Sequence, residues 1–360
     1  MLISIGLGAI LAMSIWSVKT SDTNEWHIEI IDSPGEASGW VSLALDAQGH
    51  AHVCYAEIVN NDLKYATNAS GNWVLQILDS EGDTGRSPSL ALDANGRVHV
   101  SYIDVTNQDL RYMTNASGVW VALTIDSVGD INDRTSLALD PAGHVHIAYY
   151  RKDTGDLKYA TNVSGEWITE TADSANDSGE GAAIAVDAQG IPRIVYFDAT
   201  NQELKYAINA SGSWISQTIE SIGDIWVCDD FSLALDQKRT PRVCYCSRTD
   251  CAQKYAAKSE GKWSSEVIDS HLGAWGWSSL ALDSKGRAQI VYSYYNDETG
   301  DLRYTTDMYS SNAKDRETGP VDSACWVGGI VSLKLDAADV PHVCYWDLKK
   351  KTLKYATPRR

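Results

Sequence analysis

Basic residues are scarce in this 360-residue sequence, and phenylalanine is almost missing. The chain has 30 lysines and arginines against 48 aspartates and glutamates, so its formal net charge is −18. A chain this acidic repels a phosphate backbone, and no nucleic-acid partner is expected. Only 2 phenylalanines accompany 13 tryptophans and 18 tyrosines. These amphipathic rings suit exposed sheets and binding surfaces better than the closed core of a helical bundle.

Long apolar runs are missing beyond residue 18, which excludes a polytopic membrane protein. The uncharged stretch Met1–Val18 would span about 27 Å as a helix, slightly less than the ~30 Å hydrocarbon core of a bilayer. Three interpretations stay open for it: a cleaved secretory signal, a membrane anchor, or a retained helix through which the chain self-associates. Residues 19–25 would then act as a linker.

What the sequence does contain is a repeat. The pattern Ser-Leu-Ala-Leu-Asp or a close variant occurs seven times, ending at Asp46, Asp93, Asp140, Asp187, Asp236, Asp283 and Asp336. A tyrosine recurs in step with it at Tyr65, Tyr112, Tyr159, Tyr206, Tyr255, Tyr304 and Tyr355. A tryptophan recurs at Trp26, Trp73, Trp120, Trp167, Trp214 and Trp263. The chain therefore holds seven copies of one unit.

Each copy is predicted to form four strands, called A to D. In the second copy they are Ser89–Asp93, Val98–Ile103, Leu110–Thr114 and Trp120–Ile125, separated by turn-forming Asn and Gly. No 3.6-residue apolar period is present, so the fold class is all-β. Four-stranded units of roughly 40–50 residues indicate a β-propeller, and seven copies lie within the usual ~4–8 blades.

The two ends of the repeat predict how the ring closes. The seventh copy stops after strand C, at Leu353–Ala356, and an extra strand D, Trp26–Ile31, precedes the first copy. We therefore expect a propeller over residues 26–360 in which the N-terminal strand completes the last blade and removes two open edges. The sixth strand D, near Arg316–Val321, is the weakest because it lacks the tryptophan and follows an insertion.

The Leu-Ala-Leu-Asp-x-x-Gly and Leu-Lys-Tyr-Ala signatures resemble those of secreted bacterial and archaeal seven-bladed propeller repeat proteins, loosely called sialidase-like. The resemblance covers residues 26–357 and implies the fold rather than a chemistry. Sialidases carry Ser-x-Asp-x-Gly-x-x-Trp boxes and an arginine triad with a Tyr–Glu pair, and neither is recognisable in this sequence. We therefore expect no catalytic residues, no metal and no cofactor.

Met1–Val18 resembles the N-terminal helix of type IV pilins and their archaeal relatives, which polymerise through that helix. Ile5 departs from the pattern, because those helices carry Glu at position 5. The resemblance implies an extracellular or cell-surface, non-enzymatic filament subunit that displays its propeller for adhesion or lateral contacts. The alternative is a secreted carbohydrate-binding lectin or a sialidase-like enzyme acting on glycosides.

Ligand recognition is expected on the face of the ring that carries the B-to-C and D-to-A connections. The D-to-A loops of copies one, five, six and seven contain the indoles of Trp40, Trp226, Trp275, Trp277 and Trp326. Copies two, three and four have Arg86, Arg134 and Glu180 there instead. The five indoles are predicted to form one arc that binds a glycan or a surface protein. Alternatively, each indole plugs its own loop.

Cysteines and histidines at equivalent strand-B sites favour structural roles. Cys54, Cys244 and Cys344 share one site where other copies have small or apolar residues, which predicts buried thiols. Cys246 and Cys251 flank one turn and are candidates for a disulfide. His52, His99, His146 and His342 share a second site, and one histidine per blade cannot converge on a metal ion.

Five N-glycosylation sequons begin at Asn68, Asn115, Asn162, Asn176 and Asn209. Four of them recur at a spacing of 47 residues. Asn-x-Ser-Gly is also good turn chemistry, so glycan attachment and a purely structural turn both remain open.

Overall fold

The computed structural model describes residues 25–34, 39–57, 59–131, 134–223, 231–247, 249–270, 276–295, 300–306, 317–324 and 327–359. The predicted helix Met1–Val18 and the indoles of Trp226, Trp275 and Trp326 lie outside these ranges. The described residues form seven antiparallel sheets of four strands each, which confirms an all-β, seven-bladed propeller. Within the same ranges, no helix has the length and apolar character needed to span a bilayer.

Six blades use four consecutive strands of the chain. Blade 1 contains β2 Val41–Leu45, β3 Ala51–Glu57, β4 Asp62–Thr67 and β5 Val74–Asp79, and blade 2 contains β6 Arg86–Leu92, β7 Val98–Asp104, β8 Asp109–Thr114 and β9 Val121–Asp126. Blade 3 contains β10 Thr135–Leu139, β11 Val145–Arg151, β12 Asp156–Thr161 and β13 Ile168–Asp173, and blade 4 contains β14 Ser178–Val186, β15 Pro192–Asp198, β16 Glu203–Ile208 and β17 Ile215–Ser221. Blade 5 contains β18 Ser232–Leu235, β19 Pro241–Ser247, β20 Ala252–Ser259 and β21 Lys262–Ser270, and blade 6 contains β22 Ser278–Leu282, β23 Ala288–Tyr295, β24 Gly300–Thr306 and β25 Glu317–Asp322.

Blade 7 is completed by the N-terminal strand, as predicted. Its strands are β26 Val327–Leu335, β27 Pro341–Asp347, β28 Thr352–Pro358 and β1 Trp26–Asp32. β1 pairs antiparallel with β28, from Trp26 opposite Pro358 to Asp32 opposite Leu353. The ring therefore closes through main-chain hydrogen bonds between the two ends of the repeat.

The recurring aspartate at the end of strand A caps the turn to strand B. Asp46 Oδ1 accepts the backbone N–H groups of Gln48 and His50 at 2.9 and 2.8 Å. Gly49 completes this turn with a φ of 83°, where a side chain would be strained. Burial alone would raise the pKa of Asp46, but the hydrogen bonds from His50 and Gln48 lower it. The aspartate therefore acts as an ionised cap of this turn.

Antiparallel pairing within each blade gives the ring two distinct faces. The A-to-B and C-to-D turns, such as residues 46–50 and 68–73, form what we call the turn face. The B-to-C and D-to-A connections, such as residues 59–61 and 80–85, form the loop face. β1 runs from the turn face to the loop face, and β28 ends on the turn face. Both ends of the propeller therefore lie on the turn face.

The recurring tryptophans at the start of strand D pack between blades. Each described indole meets the strand-C tyrosine of the preceding blade, with ring centroids 5.0–5.5 Å apart. The pairs are Trp26–Tyr304, Trp73–Tyr355, Trp120–Tyr65, Trp167–Tyr112, Trp214–Tyr159 and Trp263–Tyr206. These edge-on and tilted contacts stabilise every one of these junctions in the same way.

The strand-B histidines are buried and structural. Nδ1 of His52, His99 and His146 lies 2.5 Å from the hydroxyl of Tyr65, Tyr112 and Tyr159 respectively, and His342 makes the same contact with Tyr355. Burial lowers the pKa of His52, His99 and His146 more than the nearby turn aspartates raise it. These side chains therefore favour the neutral form in the folded protein.

The cysteine predictions are partly confirmed. Cys54, Cys244 and Cys344 are fully buried, as expected for packing thiols. Cys246 and Cys251 are not joined by a disulfide, which corrects the expected bridge. Cys246 is buried in β19, whereas Cys251 is exposed in the turn with a φ of 50°. The turn thus directs the two side chains into different environments.

Candidate functional site

An open cavity of about 370 Å³ lies between blades 1 and 2 on the loop face. Its lining combines one indole, one guanidinium, two carboxylates and smaller polar groups. The lining residues are Gly39, Trp40, Ala56, Glu57, Asn61, Asp83, Thr84, Arg86 and Ile330. We call this cavity the Trp40 pocket.

Trp40 is positioned by the close approach of its loop to strand B. The backbone carbonyl of Trp40 accepts the N–H of Ala56 at 3.1 Å. A Cβ atom on Gly39 would lie 2.4 Å from the Ala56 carbonyl oxygen, so only glycine allows this contact. The loop is thereby held against β3, and the half-buried Trp40 side chain borders the cavity.

Arg86 enters the pocket from the neighbouring blade. It is the first residue of β6 and pairs with Ile103 ahead of an irregularity in the strand register. Its guanidinium carbon lies 4.9 Å from the centre of the Trp40 ring, within the range of a cation–π contact. The pair joins two blades and places planar N–H donors beside an aromatic ring.

Carboxylates provide acceptors around this pair. Glu57 is buried, and its carboxylate accepts the backbone N–H groups of Val59 and Asn60 at 2.8 and 3.3 Å. Asp83 is half-buried, and its backbone N–H donates to Thr106 Oγ1 at 2.8 Å. Glu57 is therefore held by the B-to-C turn, while Asp83 borders the cavity from the D-to-A loop.

Thr84 supplies a hydroxyl whose hydrogen-bonding capacity is unused. The residue is 1% exposed, and its Oγ1 has no hydrogen-bond partner among the described residues. Its backbone N–H is satisfied by the carbonyl of Asn61 at 2.9 Å. A buried hydroxyl without a partner costs stability, and a ligand that reached it would recover that cost.

The arrangement suits a small ligand that carries hydroxyl groups. Arg86 donates hydrogen bonds, Asp83 accepts them, and Thr84 does both. The two carboxylates and one guanidinium leave a formal charge of −1, which disfavours an anionic ligand. The flat indole can pack against the C–H face of a ring. These are requirements that a neutral polyol ring meets.

The predicted arc of five indoles is only partly described. Trp40 and Trp277 are both partly exposed at the start of strand A in their blades. The main chain holds Trp277 in the same way as Trp40, because its carbonyl accepts the N–H of Ser293 at 2.9 Å. Trp226, Trp275 and Trp326 lie outside the described residues, so the arc stays a prediction.

The sequence pattern does not predict Arg86 as a site residue, because copy two has a charged residue instead of an indole in its D-to-A loop. The structure instead brings Arg86 onto Trp40. The signal available in the sequence is that both residues occupy D-to-A connections of consecutive copies. Consecutive blades are neighbours in the ring, so their connections meet on the loop face.

The sequon asparagines lie mainly on the turn face. Oδ1 of Asn68, Asn115 and Asn162 accepts the first backbone N–H of strand B in its own blade, at 2.7–2.8 Å. These contacts explain the recurrence of asparagine without glycosylation. Asn176 instead lies in a D-to-A connection on the loop face, where its Nδ2 is 3.4 Å from Asp198.

No family model matches the sequence, and no curated protein resembles it closely enough to count as a relative. Solved structures do share its fold. AofleA from Arthrobotrys oligospora is 12% identical with a TM-score of 0.56, over 83% of this chain and 91% of that chain.

Two further structures extend the comparison. The Aleuria aurantia lectin in complex with Fucα1-6GlcNAc is 13% identical with a TM-score of 0.52, over 80% of this chain and 98% of that chain. The intramolecular trans-sialidase from Ruminococcus gnavus is 9% identical with a TM-score of 0.50, over 91% and 96%. The likeness is one of fold. It includes a lectin and a sialidase, so fold alone does not choose between binding and catalysis.

Proposed function

We propose that the protein is a non-enzymatic, extracellular or cell-surface glycan-binding propeller whose site is the Trp40 pocket. The observation that carries this proposal is the Trp40–Arg86 cation–π pair at an open cavity, beside the Thr84 hydroxyl, which has no hydrogen-bond partner within the described part of the chain. An aromatic face with adjacent donors and acceptors is the combination that recognises a sugar ring. The formal charge of the pocket favours a neutral sugar.

The comparison with solved structures supports this choice indirectly. The Aleuria aurantia lectin was solved with a bound fucosylated disaccharide, so a propeller of related architecture can present a glycan site. The shared fold supports only the statement that this architecture is compatible with a glycan site.

The placement of the acids favours binding over hydrolysis. Glu57 is held by the N–H groups of its turn and lies opposite Asp62 in the strand pair. Burial and the Glu57 charge raise the pKa of Asp62, as expected for neighbouring carboxylates. The same pair recurs as Asp104 and Asp109 in blade 2, where it borders no part of the Trp40 pocket. The paired acids are therefore a feature of the repeat rather than of a reactive centre.

A glycan array tests the proposal directly. Trp40→Ala and Arg86→Ala should each weaken binding to the recognised neutral glycan by at least about tenfold, because they remove the stacking surface and the charged donor. Lys152→Ala is the matched control, since it removes an exposed charge from the same face in blade 3. Thermal unfolding is measured on the same proteins.

Three results would contradict the proposal. Unchanged glycan binding in both pocket variants would show that the Trp40 pocket is not the glycan site. A large fall in melting temperature with binding retained would show that Trp40 only plugs its loop. Turnover of an aryl glycoside that is lost with Trp40→Ala would indicate the enzymatic alternative.

A second candidate role is self-association through Met1–Val18 in a pilus-like filament. β1 begins on the turn face, so the N-terminal segment enters the propeller opposite the Trp40 pocket. The outer strands also expose apolar side chains that lateral contacts would cover, among them Ile30, Val74, Val121, Ile168 and Ile215. A propeller held by its N-terminal segment would thus present the pocket away from the filament axis.

Electron microscopy of native material tests this role. Ile5→Asp or Leu11→Asp should abolish filaments, because a charge in an apolar helix interface is costly. The same variants should bind glycan normally, since these positions precede the propeller. Mass spectrometry of native protein that begins near Ser14–Val18 would instead establish a cleaved signal.

A further inference from the structure

The innermost strands surround a second cavity, of about 190 Å³, on the axis of the ring. This volume is several times the roughly 30 Å³ that one water molecule occupies in the liquid. Strand A of every blade contributes to its lining. We call it the axial cavity.

Serine hydroxyls link strand A of one blade to strand A of the next around this cavity. In six of the seven copies, the serine Oγ accepts a backbone N–H of the following blade at 2.9–3.1 Å. The serines are Ser42, Ser89, Ser136, Ser232, Ser279 and Ser332. Blade 4 has Ala183 at this place.

These hydroxyls retain an unused proton. A serine hydroxyl has one donor besides its acceptor lone pairs, and each of the six uses only the acceptor. Among the described residues, no protein acceptor receives a hydrogen bond from any of them. The axial cavity is therefore lined by donors that a ligand can use.

Lys334 adds a cation to the same cavity. It lies two residues beyond Ser332 on the same side of β26, where the other six copies have alanine. Its side chain is accessible to solvent, and no carboxylate pairs with it among the described residues. Although water reaches this side chain through the cavity, the ring of strands around it removes much of the surrounding bulk solvent, and this desolvation lowers the pKa of Lys334.

Acidic residues are missing from the described lining of the axial cavity. The chain has 48 aspartates and glutamates, and none of those that the structure describes lines this space. Arg134 lines the cavity as well, so both charged side chains that border it are basic. In a protein with a net charge of −18, the described lining of this cavity thus carries positive charge only.

We infer that the axial cavity binds a small oxyanion, a phosphate or carboxylate group, between the Lys334 ammonium and the donating serine hydroxyls. An oxyanion offers several hydrogen-bond acceptors to the converging donors. It also supplies the negative charge that no described carboxylate provides to Lys334. The two cavities share Trp40 and Ile330 in their linings, but Lys334 and the serines line the axial cavity alone. Anion binding there therefore does not depend on glycan binding.

Isothermal titration calorimetry with inorganic phosphate and with succinate, at constant ionic strength, tests this inference. One site per chain is expected for at least one of the two anions. Lys334→Ala should weaken it by about tenfold or more, because a charge-assisted hydrogen bond is lost. The fold should tolerate this change, because alanine is the residue that six copies already carry.

Two further variants make the result decisive. Lys334→Arg keeps the charge and should retain binding within a few-fold. Lys349→Ala removes the same charge from an exposed position of blade 7 and should leave binding unchanged. Binding of neither anion to the wild-type protein would overturn the inference, as would equal losses in Lys334→Ala and Lys349→Ala. Binding of phosphate alone or succinate alone would support it and identify the preferred anion.

Discussion

Trp26 packs edge-on against Tyr304, with ring centroids 5.4 Å apart and an interplanar angle of 71°. Trp26 begins β1 of blade 7, and Tyr304 lies in β24 of blade 6. The junction between blades 6 and 7 therefore uses the same Trp–Tyr contact as the other junctions that carry a strand-D tryptophan. The N-terminal strand is equivalent to any other strand D, although it is separated from its blade by the whole propeller.

Removing the Trp26 ring should destabilise the closed ring. Trp26 is 6% exposed, so Trp26→Ala should reduce the free energy of unfolding by about 3–5 kcal/mol. That is a large part of the roughly 5–15 kcal/mol typical of a folded domain. Chemical denaturation measures the loss. Val119→Ala, at a residue that is 66% exposed, should change the stability by less than about 0.5 kcal/mol.

A deletion variant provides the stronger test of closure. Without residues 26–32, β28 would be left as an open edge strand. Light scattering should then show aggregation on heating. Unchanged melting and no aggregation in this variant would contradict the contribution of β1 to the ring.

Completing the serine ring should stabilise the propeller. Ala183 stands where six other copies have a serine that accepts an N–H from the next blade. Ala183→Ser should provide an acceptor for the N–H of Leu233 and add about 0.5–1.5 kcal/mol to the free energy of unfolding. Ser136→Ala should act in the opposite direction, because it leaves the N–H of Ile184 without its acceptor. A destabilised Ala183→Ser variant would show that blade 4 cannot adopt the common junction.

The buried histidines should make the protein less stable in mild acid. Burial lowers the pKa of His99, and its Nδ1 lies 2.5 Å from the Tyr112 hydroxyl. A lowered folded-state pKa means that the unfolded chain binds the proton more readily, from its usual pKa of about 6.5 downward. The free energy of unfolding should therefore fall as the pH drops below about 6.5, until the lowered folded-state pKa is reached.

His99→Gln should reduce the slope of this pH dependence. Blade 6 has Gln289 at the equivalent site, where its Oε1 accepts from the Tyr304 hydroxyl at 2.5 Å, so the replacement fits the repeat. His27→Gln is the control, since that side chain is exposed on β1. Denaturation curves between about pH 7 and pH 5 span the usual histidine pKa of about 6.5 and give the slope of the free energy of unfolding against pH. Equal slopes for wild type and His99→Gln would contradict the explanation.

Glycan attachment should discriminate among the four equivalent sequons. Among the described residues, Asn68, Asn115 and Asn162 use only Oδ1 in protein hydrogen bonds, which leaves Nδ2 available for modification. Asn209 instead donates Nδ2 to Glu170 at 3.3 Å. In a host that glycosylates these sequons, mass spectrometry should find the lowest occupancy of the four at Asn209. Glu170→Ala should raise it, and equal occupancy at all four sites would contradict this prediction.

The fold could be predicted from the sequence because its determinants are local and repeated seven times. The turn aspartate, strand alternation and strand-start tryptophan each act within one copy or between adjacent copies. The surplus strand at one end and the missing strand at the other also determined how the ring closes. Strand limits were less accurate at β6, which begins at Arg86 rather than Ser89, since its register is set by contact with Ile103.

The candidate sites depended on contacts between blades, which the repeat pattern does not specify. Trp40 and Arg86 meet because neighbouring blades bring two D-to-A connections together, and the indole pattern alone had separated them. The turn conformation at Cys251 decided against the expected disulfide. In the sequence, Lys334 only replaces the alanine that the other six copies have at this position of strand A. Only the closed ring places it in a cavity whose described lining holds no acidic residue, because seven inner strands must meet there before a shared lining exists.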